Sequence, residues 1–509
     1  MLFRSLHRLV KAVLIDRMGT VRHNLMEHVA HVLLAGGNSG SPDKRALWPR
    51  YQELAPHVAA SRMMNCDDGW ARQLVLDVIA FYYWRGDLQS SRDLAMQTVE
   101  EWRNLLGADH RQTLEAAKWL AYVHRAFGTF ADARAISQDC LDRYLQTVGP
   151  EDEGTIDAMS MVGADLRIAG EFAAARELDL AALRRARGAL GEDEPTTLKA
   201  AHNLAVSLRL TGEFRAARTL DHETHGRRVA ILGEEHPETL LTLNGLTLDH
   251  RECGHYIEAH KLQEHLYMRY QVILGGNHPT SIMAARNLAV ARRRAGLHEE
   301  GRKLAEEAWR RCRQRFGEDS AESLAAALNF AVDLREADQL EEAASLGEAT
   351  VARYRNVLGP EHPYTLYART NLAIVLRLLG RAEESHGHNQ YVLQALDERL
   401  GADHILTLTC AINLASDLAV LGRQREAVEL SAATFERCRR VLGEDHPSTL
   451  AAGLNLSFDE TASGAAQNGA ALYEDILGGY RRVLGPDHAA VTAATARARA
   501  NCDVDPMPF

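Results

Sequence analysis

The chain has 509 residues with 58 basic and 69 acidic side chains, a formal net charge of −11. That balance argues against a nucleic-acid-binding surface along the whole molecule, since phosphate recognition needs concentrated positive charge. With 46% hydrophobic residues and 13 prolines, the composition is that of a folded protein with little long disorder.

Cys66, Cys140, Cys253, Cys312, Cys410, Cys438 and Cys502 are scattered without a CxxC pair. Neither a disulfide framework nor a zinc site is expected, and a reducing cytoplasmic setting fits. No apolar run reaches the roughly 18 residues of a membrane span. At the N-terminus, Leu2, Leu6, Leu9, Val10, Val13 and Leu14 fall at helical spacing, while Arg4, Arg8, Lys11 and Asp16 break any signal-peptide core. A packed helix is expected there. Gly36–Lys44 (GGNSGSPDK) has linker composition, and no GxxxxGK[ST] phosphate loop occurs in the chain. Asp67 and Asp68 are read as a helix-start pair opening a first unit over about Asn65–Leu106.

From there the chain repeats. LGEEHPETL (Leu232–Leu240) recurs as LGEDEPTTL, LGPEHPYTL, LGADHILTL and LGEDHPSTL, and its glycine forms the column Gly107, Gly149, Gly191, Gly233, Gly275, Gly317, Gly359, Gly401, Gly443, Gly485, spaced by 42 residues throughout. A second column lies half a period on: Gly86, Gly128, Gly170, Gly212, Gly254, Gly296, Asp338, Gly380, Gly422, Gly464. Two glycine columns mark two helix ends per repeat. Pro237, Pro279, Pro363 and Pro447 suit a first helical turn. Each unit therefore reads as an A helix (about Pro237–Arg251) and a B helix (about Tyr256–Leu274). Ser91, Ala133, Ala175, Ala217, Ala259, Gly301, Ala343, Ser385, Ala427 and Gly469 form a small-residue column where two helix backbones approach. After Gly485 only an A helix, Ala489–Ala500, is expected, followed by a short acidic tail lying along the surface.

These features resemble the tetratricopeptide repeat in its 42-residue, kinesin-light-chain form, with the text LGxxHPxxxxxxxNLAxxLxxxGxxxEA, over roughly residues 65–500. The resemblance implies an all-α fold: a right-handed α-solenoid superhelix of about ten helix pairs with a small helical N-terminal cap. It divides the chain into residues 1–64, the array 65–500 and a tail 501–509. HRLVKAV (His7–Val13) and WPRYQELAPHV (Trp48–Val58) resemble the junction between a winged-helix segment and such repeats in actinobacterial NB-ARC signalling proteins.

Solenoids of this kind present a concave face lined by A helices. Two polar columns on that helix are candidate peptide-binding residues. Asn203, Asn287, Asn329, Asn371, Asn413 and Asn455 carry carboxamides, which both donate and accept and so can pair with an extended peptide backbone or bridge adjacent repeats. Arg125, Arg167, Arg209, Arg251, Arg293, Arg335 and Arg377 form a rail, ended by Ala419. Their guanidinium forks suit the carboxylates or phosphates of an acidic or phosphorylated peptide, or they pair with B-helix acids such as Glu258, Glu300, Glu342, Glu384 and Glu426. If the rail serves ligands, reversing Arg209, Arg251 and Arg293 to glutamate is expected to abolish partner capture with little loss of stability.

His110, His236, His278, His362, His404, His446 and His488 recur once per repeat, too far apart to share a metal, and are placed at the turn leading into the A helix. No HExxH, GxSxG or Cys–His signature appears, and DHETH (Asp221–His225) has the wrong spacing. The expected function is a non-enzymatic protein–protein interaction scaffold. It would need no cofactor or metal and bind a peptide or protein, with no nucleic-acid or membrane partner. The alternative is a sensor or autoinhibitory arm of an NB-ARC-type signalling ATPase whose nucleotide-binding domain is absent from this chain.

Overall fold

The computed structural model describes residues 17–506. The apolar segment Leu2–Leu14 and the stretch His7–Val13 lie outside the described residues. Among the described residues there are 23 α-helices, two short 3-10 turns and no strand. The chain divides into two compact units, Met1–Met161 and Val162–Phe509.

In the first unit, helices Thr20–Ala35 and Trp48–Ala60 precede the first repeat helices Gly69–Trp84 and Leu88–Leu105. Asp68 caps the former, its carboxylate accepting from the N–H groups of Trp70 and Ala71. The linker-like segment is tied down. Asn38 donates to Asp77 at 2.7 Å and accepts from the Tyr51 hydroxyl at 3.0 Å, and the Trp48 indole donates to the Pro42 carbonyl. Glycine and serine content does not make this stretch loose, because its polar groups find fixed partners.

In the second unit the repeat text becomes alternating helices. The A helices include Pro195–Leu210, Pro237–Glu252, Pro279–Arg294, Ala321–Glu336, Pro363–Leu378, Ile405–Val420 and Pro447–Ala462. The B helices include Phe214–Leu232, Tyr256–Leu274, His298–Phe316, Leu340–Leu358, Ala382–Leu400, Gln424–Leu442 and Ala466–Leu484. The A helices are buried on nearly every side, whereas B helices bury one stripe. Every member of the small column is buried. A Cβ at Gly469 would sit 2.5 Å from the Ser457 carbonyl oxygen, so the two backbones touch there. Ser385 instead turns its hydroxyl onto the Ala373 carbonyl at 2.7 Å.

The two glycine columns differ in what they demand. At the end of the B helices, Gly233, Gly275, Gly317, Gly359, Gly401, Gly443 and Gly485 combine φ of 83° to 97° with ψ of 154° to 165°. That region is closed to side-chain-bearing residues, which explains an unbroken column. The second column closes A helices in the left-handed α region, as at Gly128 with φ 77° and ψ 10°. Asp is tolerated there, and Asp338 adopts φ 60°.

The histidine column caps the A helices. Nδ1 of His110, His236, His278, His362, His404, His446 and His488 accepts from the backbone N–H two residues on, at 3.1–3.3 Å. Four of these rings have a further bond that periodicity did not disclose. Nε2 of His362, His404, His446 and His488 meets the carbonyls of Ile168, Leu210, Glu252 and Arg294, each 194 residues earlier. Those carbonyls are the free acceptors at A-helix C-termini. The second unit thus winds so tightly that successive superhelical turns touch after four to five repeats.

Both ring nitrogens of these histidines are committed. Burial lowers the pKa to about 4 at His362 and His404, and a further proton would sit on Nδ1 against the positive end of a helix dipole. Between that value and the unfolded value of about 6.5, only the unfolded chain takes up the proton. The contribution is therefore complete above pH 6.5 and declines as pH falls toward 4. The stability advantage of the wild type over a His362→Asn/His404→Asn variant, which keeps the cap and loses the reach, should shrink across that window in urea titrations. The upper bound is roughly 3 kcal/mol per ring. An advantage independent of pH would contradict the neutral-ring assignment. Independently, Gly359→Ala should destabilise by about 2 kcal/mol and Gly380→Ala by about 1 kcal/mol, since a Cβ meets open space at both and only the backbone region differs.

Candidate functional site: the inner face of the A helices

The polar columns meet on the inner face of the second unit, and a segment of the chain itself lies against them. The helix after Gly485 runs only Ala489–Thr495, shorter than the Ala489–Ala500 expected from the repeat. Arg497 turns the chain at φ 59°, with its guanidinium 4.3 Å from the Tyr473 ring centroid. The following residues are extended and, contrary to expectation, do not lie along the surface: Cys502, Val504 and Asp505 are buried. With the tail in place, Asn371, Asn413 and Asn455 on this face are buried, so a segment that pairs with them through its backbone is favoured there.

Three asparagines hold this segment by its backbone. Asn455 donates to the Ala500 carbonyl at 3.0 Å and accepts from the Ala500 N–H at 2.8 Å. Asn413 treats Cys502 in the same way at 2.8 and 3.2 Å, and Asn371 treats Val504 at 2.9 and 2.9 Å. One repeat of the array corresponds to two residues of the tail, and the tail runs back toward earlier repeats. Among the other members of the column, Asn287 bonds Asn244 between adjacent repeats at 3.1 Å. Asn203 is half-buried. Asn329 is next in line, where Pro506 offers no N–H, and its Oδ1 is buried without a partner.

The intervening tail side chains face the arginines. Asp503 pairs with Arg335, and Asp505 with Arg293 and Arg294. Asn501 accepts from Arg377 at 2.7 Å. Burial alone would raise both carboxyls. Arg335 beside Asp503, and Arg294 and Arg293 beside Asp505, outweigh it and hold both below the usual carboxylate range.

The arginine rail has a structural role as well. Arg209, Arg293 and Arg377 reach the aspartate 40 residues on, Asp249, Asp333 and Asp417, at 2.6–2.9 Å. Arg167 meets Asp179 and the Ser207 hydroxyl. Arg125, in the first unit, donates to the Ser137 hydroxyl and the Met161 carbonyl. These acids differ from the B-helix glutamates considered from the sequence; Glu384 and Glu426 pair with Arg381 and Arg423. Where position 40 residues on is Val375, Arg335 turns to Asp503 of the tail. Where it is Ala291, Arg251 donates to Glu252 and lies near enough to Asp505 of the tail to help lower its carboxyl, while its Nη2 is buried without a hydrogen-bond partner.

The rail's end at Ala419 also has a physical account. By the 40-residue rule an arginine at 419 would meet Asp459. Arg499 of the tail reaches Asp459 instead, at 2.7 Å, so the tail completes the ladder where the array leaves it open. Sequence spacing signalled the columns and could not signal this, because an alternating R-x-N-x-D-x-D run gains meaning only against the ladder.

The expectation that reversing Arg209, Arg251 and Arg293 leaves stability unchanged fails on this geometry. A glutamate at 209 would face Asp221 and Asp249, both within 2.9 Å of the present guanidinium. Arg209→Glu should cost on the order of 3–5 kcal/mol in chemical denaturation, whereas Arg251→Gln, which removes one ion pair with Glu252 together with an unmet Nη2, should cost less than about 1.5 kcal/mol.

Among the described residues no helix is long and apolar enough to cross a membrane, and no group of His, Cys, Asp and Glu is placed to hold a metal ion. A comparison with curated proteins gave no match. Among solved structures, a kinesin light chain-like protein of Podosopora anserina, described as having nearly identical TPR-like repeats, is 25% identical. It covers 40% of this chain and 97% of its own, at a TM-score of 0.33. BtubC (BKLC) from P. vanneervenii is 19% identical, covering 45% and 92%, at 0.36. A Rap protein complexed with competence and sporulation factor is 10% identical, covering 67% and 95%, at 0.47. Tetratricopeptide repeat profiles match residues 73–146, 114–188, 154–224, 280–356 and 323–396, and a second one matches 239–280 and 407–448. With these matches spanning more than half of its length, the chain belongs to the tetratricopeptide repeat family.

Proposed function

We propose that this chain is a protein–protein interaction scaffold whose A-helix face, in residues 162–509, receives an extended acidic segment of a partner. The single observation behind the reading is the set of two-way bonds from Asn371, Asn413 and Asn455 to alternate residues of an extended strand. A carboxamide that both donates to a carbonyl and accepts from the same residue's N–H reads backbone without regard to side chain. Selectivity then falls to the arginines. Arg293 and Arg377, held by Asp333 and Asp417, are pre-organised, so less conformational freedom is lost when a ligand group arrives there. Asp503 and Asp505 are the carboxylates that the present occupant supplies.

In this reading residues 65–500 act as the array, residues 1–64 as its helical N-terminal segment and 501–509 as the tail. The site is a binding surface with no reacting group, in keeping with a fold that is typically non-catalytic. Selection of random peptides displayed against the full chain should enrich acidic residues two positions apart, and Arg335→Glu should move the preference at one of those positions toward lysine or arginine. Enrichment of basic or amphipathic helical peptides, or no enrichment, would contradict the proposal.

A further inference from the structure

The tail is an imperfect occupant of the groove. It satisfies Asn455, Asn413 and Asn371 in steps of two residues, and the next step falls on Pro506, so the Asn329 carboxamide oxygen is left unmet inside the protein. The acidic ladder stops equally early. Asp503 meets Arg335 and Asp505 meets Arg293, and the same step carried one repeat further points at Arg251, which is 5% exposed with Nη2 unpartnered. A cavity of about 280 Å³ lies beside the tail, lined by Arg251, Tyr256, Arg294, His298 and Glu336 among others. Leaving a buried donor or acceptor unmet is costly, so a peptide supplying an N–H to Asn329 and a third carboxylate to Arg251 would fit this groove better than the tail does.

From this we infer that residues 499–506 are a resident pseudo-ligand, displaced by a partner segment carrying three acidic residues at alternate positions, Asp-x-Asp-x-Asp or its glutamate equivalent, with no proline after the second acid. The inference rests on the groove reading above and adds to it the partner's sequence pattern and a competition. The tail's covalent attachment gives it a high effective concentration, so partners lacking the third acid are excluded and the better-fitted pattern is admitted. The tail carries its own reporter. Cys502 is buried, and burial pushes its thiol up to about 12, so it is protected from alkylation while the tail is seated.

The test uses the full chain and two synthetic peptides. The first is the sequence of residues 497–509 with serine for Cys502. The second is the same peptide with Pro506→Ala and Met507→Asp. Alkylation of Cys502, followed by mass spectrometry, should accelerate at least tenfold at saturating second peptide. The first peptide should need at least tenfold higher concentration, and neither should alter Cys410 or Cys438. An unchanged rate at Cys502, equal potency of the two peptides, or exposure of all three cysteines together would overturn the inference. Binding of labelled second peptide to an Asp503→Lys/Asp505→Lys chain separates the two readings. If that chain, folded by circular dichroism, binds while wild-type Cys502 never responds, the groove stands and the displaceable tail falls. If it does not bind, both fall. Should that variant fail to fold, Asn501→Ala/Cys502→Ser in the full chain serves the same binding measurement, with the same two outcomes.

Discussion

The second unit depends on one constraint: its inner face is lined with carboxamide and guanidinium groups that have been taken out of water and must still be met. The turn-to-turn contacts remove the water. Nε2 of His362, His404, His446 and His488 reaches helix-end carbonyls 194 residues earlier, and the channel so formed buries the tail residues Cys502, Val504 and Asp505, with a cavity of about 280 Å³ beside them. Within it each unmet polar group costs about 1–3 kcal/mol. Aspartates of neighbouring A helices answer part of the demand, and an extended strand answers the rest.

This explains why regularity and irregularity coexist. The 42-residue period survives unbroken in the glycines that end the B helices, because their backbone region admits no side chain. It relaxes in the second glycine column, where Asp338 is accommodated, and it relaxes again among the acids that answer the rail. Asp249, Asp333 and Asp417 follow the 40-residue rule; Ala291 and Val375 do not. At Val375 the tail's Asp503 takes the vacancy, and at Ala419 the tail's Arg499 does. Two of the three lapses, at Val375 and Ala419, therefore mark where another segment of chain is seated, and the third, at Ala291, leaves Arg251 Nη2 unmet.

Much of this was legible in the sequence. The helix pairs, the small column at the A–B contact, the Asp68 cap and the position of the histidines all follow from local rules: period, capping and steric limits. The asparagine column was legible as a backbone reader and equally as a bridge between repeats, and both occur, at Asn413 and at Asn287. What stayed hidden required three-dimensional closure. The second bond of His362, His404, His446 and His488 spans 194 residues, and no local pattern announces it. From the sequence the last unit reads as an A helix, Ala489–Ala500, followed by a short acidic tail along the surface. Arg497 leaves the helix because the extended conformation gains three asparagine pairs and three charged contacts, which outweigh local helix propensity.

The claim that the inner face binds an extended backbone through its asparagines has a direct test in amide hydrogen exchange of the tail, resolved residue by residue. The pairing pattern requires the N–H groups of Ala500, Cys502 and Val504 to be protected. Asn413→Ala should release Cys502 more than its two neighbours in the ladder. Rapid, uniform exchange across residues 499–505 in the wild-type chain would contradict it.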